Sequence, residues 1–308
     1  MTRDLPVCAG SAGLPVLGVE ETIVPQQWGA GLEGQGEEVA PDRVPPQINT
    51  NVAHSARVYD YWLGGKDNFP ADQKVAEAIL QVIPTMRTMA RANRAFQTRA
   101  ARYLAREAGI RQFLDIGTGI PTSPNVHEVT QAIDPAARVV YVDNDPIVLA
   151  HARALLASAP EGATAYIDAD LREPDKIVDH PDLRGTLDLS QPVGLMLVAI
   201  LMLFRDADDP QGIAARLLAA LPSGSYLALT HPTADFNPQA MAGAVAAAEH
   251  SGITLVPRSR AEVEAFFAGL DLVEPGVVPV LAWRPDPDEA LPADPQSAYY
   301  WAGVGRKP

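Results

Sequence analysis

The sequence predicts an α/β fold in which a mostly parallel sheet carries helices on both faces. After Gly109, five short apolar runs alternate with stretches of helical period, and this alternation is typical of parallel sheets. A Gly-x-Gly turn follows the first run directly, and the second run ends in Tyr141-Val-Asp-Asn-Asp145. Both features are typical of the carboxyl edge of such a sheet, where ligands bind.

The elements of the sheet are expected within residues 111–308, which form the predicted core. The apolar runs predict strands at 112–115, 138–143, 163–168, 193–199 and 225–230. Between and after them, the patterns predict helices at 123–133, 146–157, 173–180, 208–221, 239–249 and 260–268. Two later apolar stretches, 277–283 and 298–305, are joined by a loop rich in Pro and Asp, which predicts an antiparallel hairpin at the sheet edge.

Residues 47–110 are predicted to form a helical N-terminal region. Helices are expected over 71–83 and 85–108; the second carries apolar residues near one face and arginines on the other. The string Leu63-Gly-Gly-Lys-Asp-Asn68 lies before them. Two glycines inside a helix cost about 2 kcal/mol relative to alanine, so this string is predicted to be a turn between helices.

Composition limits the possible functions. The 308 residues include 24 Lys+Arg and 38 Asp+Glu, a net charge of −14, which argues against binding nucleic acid through bulk charge. The longest apolar run has 12 residues, too few to cross a membrane. Cys8 is the single cysteine, and no histidine pair has metal-ligand spacing. We therefore expect a soluble, cytoplasmic protein without a metal, a membrane partner or a nucleic-acid partner.

The first 46 residues differ from the rest. They contain 7 Gly and 6 Pro, with 7 acidic and 2 basic residues and no defensible apolar period. Such a composition is typical of low-complexity or disordered segments. Residues 1–46 are predicted to be a flexible tail.

The glycine turn lies in Phe113-Leu-Asp-Ile-Gly-Thr-Gly-Ile-Pro-Thr-Ser123. A dinucleotide fingerprint would place glycine at Thr122, Pro121 removes a backbone N–H that a pyrophosphate would use, and the loop has no P-loop lysine. The carboxylate of Asp115 attracts a cation rather than a phosphate. The loop favours a phosphate-free nucleoside ligand with positive charge; the alternative is a purely structural turn.

Two further acidic residues follow strands. Asp143 lies 24 residues after Gly119, close to the spacing of an acid that accepts hydrogen bonds from ribose hydroxyls. A helix cap before Pro146 is the alternative, but Asn144 or Asp145 suits that role better. Asp170 follows the third strand, where its carboxylate is suited to an adenine amino group; the alternative is a solvated loop acid.

These motifs together resemble class I S-adenosylmethionine-dependent methyltransferases. More narrowly, the chain resembles a bacterial family of S-adenosyl methyltransferases formerly described as a domain of unknown function. The narrower resemblance depends on residues 56–68, 90–96 and 113–128 and covers about residue 47 to the C-terminus. It implies a Rossmann-like, seven-stranded, mostly parallel sheet with an antiparallel last strand, a helical N-terminal extension, and S-adenosylmethionine as cofactor.

The resemblance also implies roles for residues that match the family motifs. The expected contacts are Asp115, Gly117, Thr118 and Gly119 at the methionine end, Asp143 and Asn144 at the ribose, Asp170 and Leu171 at the adenine, and Ala199, Ile200 and Leu201 on the methyl side. Related sequences often have His where this chain has Met202. That departure weakens the expectation of a base at this position.

Three additional expectations concern the surroundings of the cofactor. The turn after the first helix is predicted to be a lid, with Tyr61, Gly64, Lys66 and Asn68 near the methionine carboxylate or the substrate; a surface turn is the alternative. Arg94 is expected to pair with the ligand carboxylate. His231, after the fifth strand, is the candidate general base; the alternative is an ordinary loop histidine.

The predicted function is S-adenosylmethionine-dependent methyl transfer to a small molecule. Methyl transfer needs an oriented nucleophile and exclusion of water more than it needs a base. The sequence lacks the Asn/Asp-Pro-Pro-aromatic string of enzymes that methylate nucleic-acid or glutamine nitrogens. One alternative is a cofactor-binding module without methyl transfer. Another is a nicotinamide dehydrogenase, against which Pro121 and Thr122 argue. The oligomeric state is left open.

Overall fold

The computed structural model describes residues 49–155, 158–286 and 294–308. The N-terminal part of this range forms three helices, α1 (Ser55–Leu63), α2 (Pro70–Val82) and α3 (Met86–Arg106). The second and third lie where the sequence predicts helices. The predicted tail over residues 1–46 lies outside the described residues.

An eight-stranded sheet follows. Its strands are β1 (Gln112–Ile116), β2 (Arg138–Asp143), β3 (Ala163–Asp168), β4 (Gly194–Val198), β5 (Tyr226–Pro232), β6 (Asp271–Leu272), β7 (Val278–Pro279) and β8 (Tyr300–Arg306). The helices between and beside them are α4 (Val126–Gln131), α5 (Pro146–Leu155), α6 (Pro174–Val178), α7 (Pro181–Thr186), α8 (Pro210–Ala219), α9 (Pro238–His250) and α10 (Arg260–Ala265).

The strand order is β3-β2-β1-β4-β5-β8-β6, with β7 paired to β8 outside this path. Strands β1 to β5 are parallel, and β8 is antiparallel to β5. The predicted seven-strand path with an antiparallel last strand is thereby confirmed, and β7 is an additional two-residue strand. Because β1, β2 and β4 are parallel neighbours, their carboxyl ends meet at one edge.

Among the predicted elements that differ in extent, three show a local cause. The expected strand over 277–283 pairs with β8 only at Val278–Pro279, because the chain then turns into a buried 3₁₀ helix, Val280–Ala282. The helix expected over 173–180 is the shorter α6, which ends at Val178, and a separate helix that the sequence analysis did not predict, α7, begins at Pro181. Helix α4 begins at Val126 rather than at residue 123. Asn125 is its N-cap, and the Glu128 carboxylate accepts the backbone N–H of Asn125.

The core has a part on each face of the sheet. On one face, α1, α2, α3 and α9 pack their apolar sides against the strands, around Phe96, Trp283 and Tyr300. On the other face, α6, α7, α8 and α10 cover Leu195, Leu197 and their neighbours. The N-terminal helices therefore share a core with the sheet. Among the described residues, no helix has the length and apolarity to cross a membrane.

Trp283, in the segment after β7, packs against two aromatic residues of α3, and this packing leads to a stability prediction. Its side chain is fully buried, and its rings lie 5.1 Å from Phe96 and 6.0 Å from Tyr103, edge to face. Trp283→Ala is expected to lower the free energy of unfolding by about 3–5 kcal/mol, because it removes a large buried ring and leaves a cavity. Urea unfolding measures this change.

The control is Val52→Ala, since Val52 is 56% exposed and its truncation is expected to change stability by less than about 0.5 kcal/mol. Equal effects of the two substitutions would contradict the packing described for Trp283.

Candidate functional site

A cavity opens at the carboxyl ends of β1, β2 and β4 and is bordered on one side by α1 and α3. Its lining comes from the loop after each of these strands, from the loop after β3, and from the first and third helices. This is the edge at which the sequence predicts a ligand. The cavity therefore brings together residues from both the predicted core and the N-terminal helical region.

The glycine loop after β1 has the conformation that its glycines allow. Gly117 and Gly119 have φ of +74° and +66°, a region that other residues rarely adopt. A Cβ on Gly117 would lie 2.5 Å from Cγ1 of Ile200, whereas a Cβ on Gly119 would meet nothing within 4 Å. Gly117 is thus required for close packing against the loop after β4, and Gly119 exposes its backbone to open space.

Asp143, at the end of β2, holds this loop. Its Oδ2 accepts the backbone N–H of Gly119 at 2.9 Å, and its Oδ1 accepts that of Asp145 at 3.0 Å. A carboxylate has about four acceptor sites, so capacity for further donors remains. Burial raises the pKa of Asp143, and the two backbone donors oppose that rise. Asp145 rather than Asp143 caps α5, since its Oδ1 accepts the N–H of Ile147 at 2.9 Å.

Asp115 lies beneath the loop and is 2% exposed; unlike Gly117, Thr118 and Gly119, this predicted contact of the methionine end does not itself line the cavity. Its Oδ2 accepts a hydrogen bond from Nε2 of Gln97 at 3.1 Å. Burial raises the pKa of Asp115 to about 7, the charge of Arg94 opposes this rise, and Asp143 adds to it. Asp115 is therefore a buried acid whose ionisation responds to any cation placed in the cavity.

Arg94 lines the cavity from α3. Its Nη2 donates to the carbonyl oxygens of Thr122 at 2.5 Å and Pro124 at 3.5 Å. The guanidinium has five N–H donors, and among the described residues these two carbonyls are its hydrogen-bond acceptors. Arg94 places a positive charge beside Asp115 at the methionine end predicted from the sequence.

His54 is a lining residue that the sequence analysis missed. Its Nδ1 lies 2.8 Å from Oδ2 of Asp145, and its backbone N–H donates to Oδ1 of Asp72 at 2.9 Å. Burial lowers the pKa of His54, but the hydrogen bond to Asp145 and the charges of Asp145 and Asp143 outweigh this effect and raise it. His54 thus links the start of α1 to the loop after β2.

Asn93 and Gln97 are two further lining residues on α3, and the sequence contains a signal for them. They interrupt the apolar face of this helix, which also carries Met89, Phe96 and Leu104, and they lie four residues apart. Residues at this spacing lie on the same face of a helix. Polar side chains inside an otherwise apolar stripe therefore indicate a cavity or a buried network.

The loop after β3 forms the other end of the cavity. Asp170 and Leu171 line it, as expected, together with Arg172. The guanidinium of Arg172 lies 3.3 Å from the Asp170 carboxylate and 4.9 Å from the centroid of the Phe204 ring. The loop after β4 contributes the predicted residues Ala199 and Ile200. Leu201 is fully buried and does not line the cavity, so its expected contact is corrected.

The predicted lid over the cofactor is also corrected. Tyr61, Gly64, Lys66 and Asn68 do not line the cavity, because the turn is held against α1 and α2 instead. The Tyr61 hydroxyl donates to Glu77, and Nδ2 of Asn68 donates to Asp60 at 2.7 Å. Gly64 is the left-handed cap of α1, and the Lys66 side chain is exposed. The observed turn fits the alternative, a surface turn between helices.

His231 is not placed as a general base. Its side chain is fully buried and outside the cavity lining; Nδ1 donates to the carbonyl of Pro232 at 3.0 Å, and Nε2 accepts from Arg258 at 3.0 Å. Burial and the Arg258 charge lower its pKa to about 4. Arg258, which the sequence analysis missed, also donates to the carbonyls of Leu201 and Phe204. His231 and Arg258 therefore support the loop after β4.

The raised pKa of Asp115 leads to a prediction about the pH dependence of stability. Its pKa is about 7 in the folded protein against 3.8 for the unfolded reference, so the folded state holds the proton more tightly. The stability contributed by protonated Asp115 is complete below pH 3.8 and is lost as pH rises to 7. The free energy of unfolding of wild type, taken relative to that of Asp115→Asn, is expected to fall on the order of 2 kcal/mol or more as pH rises across this range. Urea unfolding at pH 4.5 to 8 measures the difference, and parallel profiles would contradict it.

Comparisons with known proteins identify the family of the chain. The model of the S-adenosyl methyltransferase family matches residues 41–308. A crystal structure of a DUF574 family protein from Streptomyces avermitilis MA-4680 is 51% identical over 85% of this chain and 100% of that chain, with a TM-score of 0.83. A protein from Thermobifida fusca YX, assigned provisionally as a methyltransferase, is 41% identical over 86% and 98% of the two chains, with a TM-score of 0.78. A search of curated proteins finds no match.

The family match covers most of the chain and includes every described element of the sheet and all three N-terminal helices. It confirms the resemblance found in the sequence and the cofactor that the resemblance implies. The chain belongs to the S-adenosyl methyltransferase family and is an S-adenosylmethionine-dependent methyltransferase.

Proposed function

We propose that this enzyme transfers a methyl group to a small molecule in the cavity at the carboxyl ends of β1, β2 and β4. The observation that carries the proposal is the combination of buried acids and one cation around the glycine loop. Asp143 and Arg94 line the cavity, and Asp115 lies buried beneath the glycine loop, close enough to Arg94 and Asp143 for their charges to affect its pKa. S-adenosylmethionine carries an ammonium, a carboxylate, a sulfonium and a diol, so it requires both signs of charge.

The donor and acceptor groups fit this cofactor. Arg94 is suited to the carboxylate of the methionine end, because guanidinium groups match carboxylate geometry. Asp143 retains acceptor sites for the ribose diol, next to Asn144. Asp170 offers a carboxylate and Leu171 an apolar side chain to the adenine. Gly117, Thr118 and Gly119 line the cavity, and Gly119 has open space where a side chain would lie.

The chain's own contribution to the reaction is orientation and exclusion of water. When bound, S-adenosylmethionine supplies a methyl group activated by the positive sulfonium. On the proposed methyl side, the lining includes Ala199, Ile200, Met202, Leu203 and Phe204, which are all apolar. Such a wall holds reactants in place and keeps water away, which supplies much of the rate enhancement in a displacement reaction.

A small acceptor is supported by the shape and charge of the site. The cavity is bordered by α1 and α3 on one side and by the loops after β3 and β4 on the other. The net charge of −14 disfavours a polyanionic acceptor. Membership of a methyltransferase family favours the enzyme over the alternative of a binding module without activity. The cytoplasmic location stays a prediction of the sequence.

A matched pair of variants tests the cofactor site. Arg94→Met removes the cation inside the cavity, and Lys66→Met removes the cation on the exposed turn. Arg94→Met is expected to weaken S-adenosylmethionine binding about 10-fold or more, since a hydrogen bond to a charged group is worth roughly 1.5–3 kcal/mol. Lys66→Met is expected to leave the dissociation constant unchanged. Isothermal titration calorimetry measures both.

Thermal unfolding of both variants, compared with wild type, separates lost contacts from lost folding. Wild-type affinity in a folded Arg94→Met variant, or weakened binding in a folded Lys66→Met variant, would contradict the proposed site.

The acceptor class has its own test. The enzyme is incubated with methyl-labelled S-adenosylmethionine and a bacterial extract divided into small-molecule, protein and nucleic-acid fractions. We expect label to transfer in the small-molecule fraction. Transfer confined to protein or nucleic acid would show that the acceptor is a macromolecule.

A further inference from the structure

We propose that Asn93 is a positioning residue that fixes the methyl-side wall of the cavity by acting through Thr230 on the turn at Ala199. The inference rests on the proposed function, because it takes the loop after β4 as the methyl side. Asn93 lies on α3 and Thr230 on β5, 137 residues apart in the chain. Their hydrogen bond joins the N-terminal helices to the end of the sheet.

The turn at Ala199 requires support. Ala199 has φ of +53°, a left-handed conformation that is unfavourable for a residue with a Cβ. Its backbone N–H donates to Oγ1 of Thr230 at 2.9 Å and approaches the Thr230 carbonyl at 3.3 Å. The turn sends the chain sharply from β4, so that Ile200 packs on the backbone of Gly117. The support of Ala199 thus determines where the wall meets the glycine loop.

The directions of the hydrogen bonds follow from donor and acceptor chemistry. The Tyr59 hydroxyl donates to the carbonyl of Ala90 at 2.9 Å, because a carbonyl can only accept. Its single proton is then used, so at its 2.9 Å contact with Nδ2 of Asn93 it must accept. This arrangement turns Oδ1 of Asn93 towards Thr230.

The same reasoning determines the role of the threonine. Oγ1 of Thr230 lies 2.6 Å from Oδ1 of Asn93 and must donate to it, since an amide oxygen only accepts. The oxygen lone pairs of Thr230 are thereby left to accept the N–H of Ala199. The chain of bonds from Tyr59 to Ala199 has one consistent direction, and an amide at position 93 provides both a donor and an acceptor for it.

Burial makes this network selective. Asn93 is 2% exposed where it borders the cavity, whereas Thr230 is fully buried and outside the cavity lining, so water cannot readily replace a lost partner of the Thr230 hydroxyl. A buried polar group without a partner is destabilising, so arrangements of the turn that break these hydrogen bonds are disfavoured. Helix α3 also presents Arg94 and Gln97 to the cavity. One helix therefore sets the distance between the proposed methionine end and the methyl-side wall.

This arrangement predicts discrimination between two ligands that differ by one methyl group. On the proposed function, S-adenosylmethionine would place its methyl against the wall, whereas S-adenosylhomocysteine lacks that methyl. A relaxed turn at Ala199 should weaken binding of the first ligand more than binding of the second. The ratio of the two dissociation constants therefore reports the position of the wall, whereas a general loss of folding would affect both ligands together.

The experiment compares Thr230→Val with Thr230→Ser by isothermal titration calorimetry of both ligands. Valine has the shape of threonine without the hydroxyl, and serine keeps the hydroxyl. For Thr230→Val, the ratio of the dissociation constants of S-adenosylmethionine and S-adenosylhomocysteine is expected to rise about fourfold, the equivalent of one buried methyl group. Thr230→Ser is expected to keep the wild-type ratio.

Asn93→Leu provides a second, independent break in the network. It is expected to raise the ratio as Thr230→Val does, and the double variant is expected to show no larger rise than either single change, because the two residues act in one chain of bonds. Thr130→Val is the matched control. Thr130 is fully buried on α4, its hydroxyl donates to the carbonyl of Val126 at 2.9 Å, and it does not line the cavity. Its loss should lower stability without changing the ratio.

The outcomes are distinguishable. A wild-type protein that binds neither ligand would overturn the proposed function itself. A wild-type protein that binds both, with folded Thr230→Val and Asn93→Leu variants that keep the wild-type ratio, would overturn the role of Asn93 alone. A changed ratio in Thr130→Val would show that the ratio reports general destabilisation rather than the wall.

Discussion

The carboxylate of Asp143 holds the cavity edge together. One oxygen accepts the N–H of Gly119 and orders the glycine loop, and the other accepts the N–H of Asp145, which caps α5 and pairs with His54. The glycine loop, the loop after β2 and the start of α1 are thus joined through two neighbouring carboxylates, those of Asp143 and Asp145. A neutral amide at position 143 would offer one acceptor oxygen in place of two, so the residue type follows from the local geometry as well as from any ligand.

The same edge concentrates negative charge in a buried place. Asp115, Asp143 and Asp145 are close enough to affect one another, and burial raises the pKa of the first two. Buried charges are tolerated when they are paired and hydrogen-bonded. Arg94 and His54 supply part of that compensation, one from each side. A positively charged ligand would supply more, which relates the electrostatics of this edge to the cofactor of the family.

The strands could be predicted well because their apolar runs are short, separated by turn residues, and followed by acids at one edge. The expected ranges of β2 and β3 match the observed strands residue for residue. The turn after α1 was harder, because its position depends on Asp60 and Glu77, whose contacts no sequence period shows.

His231 illustrates the same limit. Its burial depends on Arg258, which comes from a separate segment of the chain. The sequence does contain a signal for Asn93 and Gln97 as site residues, since a buried polar residue inside an apolar helical stripe needs a hydrogen-bond partner. The hydrogen-bond partners of His231 and of the turn after α1 could not be predicted, because hydrogen bonds across long sequence separations leave no local pattern in the sequence.

The dual position of α3 has a kinetic consequence. One face of this helix packs in the core beside Trp283, and residues on the same helix border the cavity. A wall built in this way cannot swing open as a separate flap without exposing the core to water. Ligand exchange must therefore occur through small local fluctuations of the loops and side chains, and the residence time of a bound molecule will depend on how firmly the helices are packed.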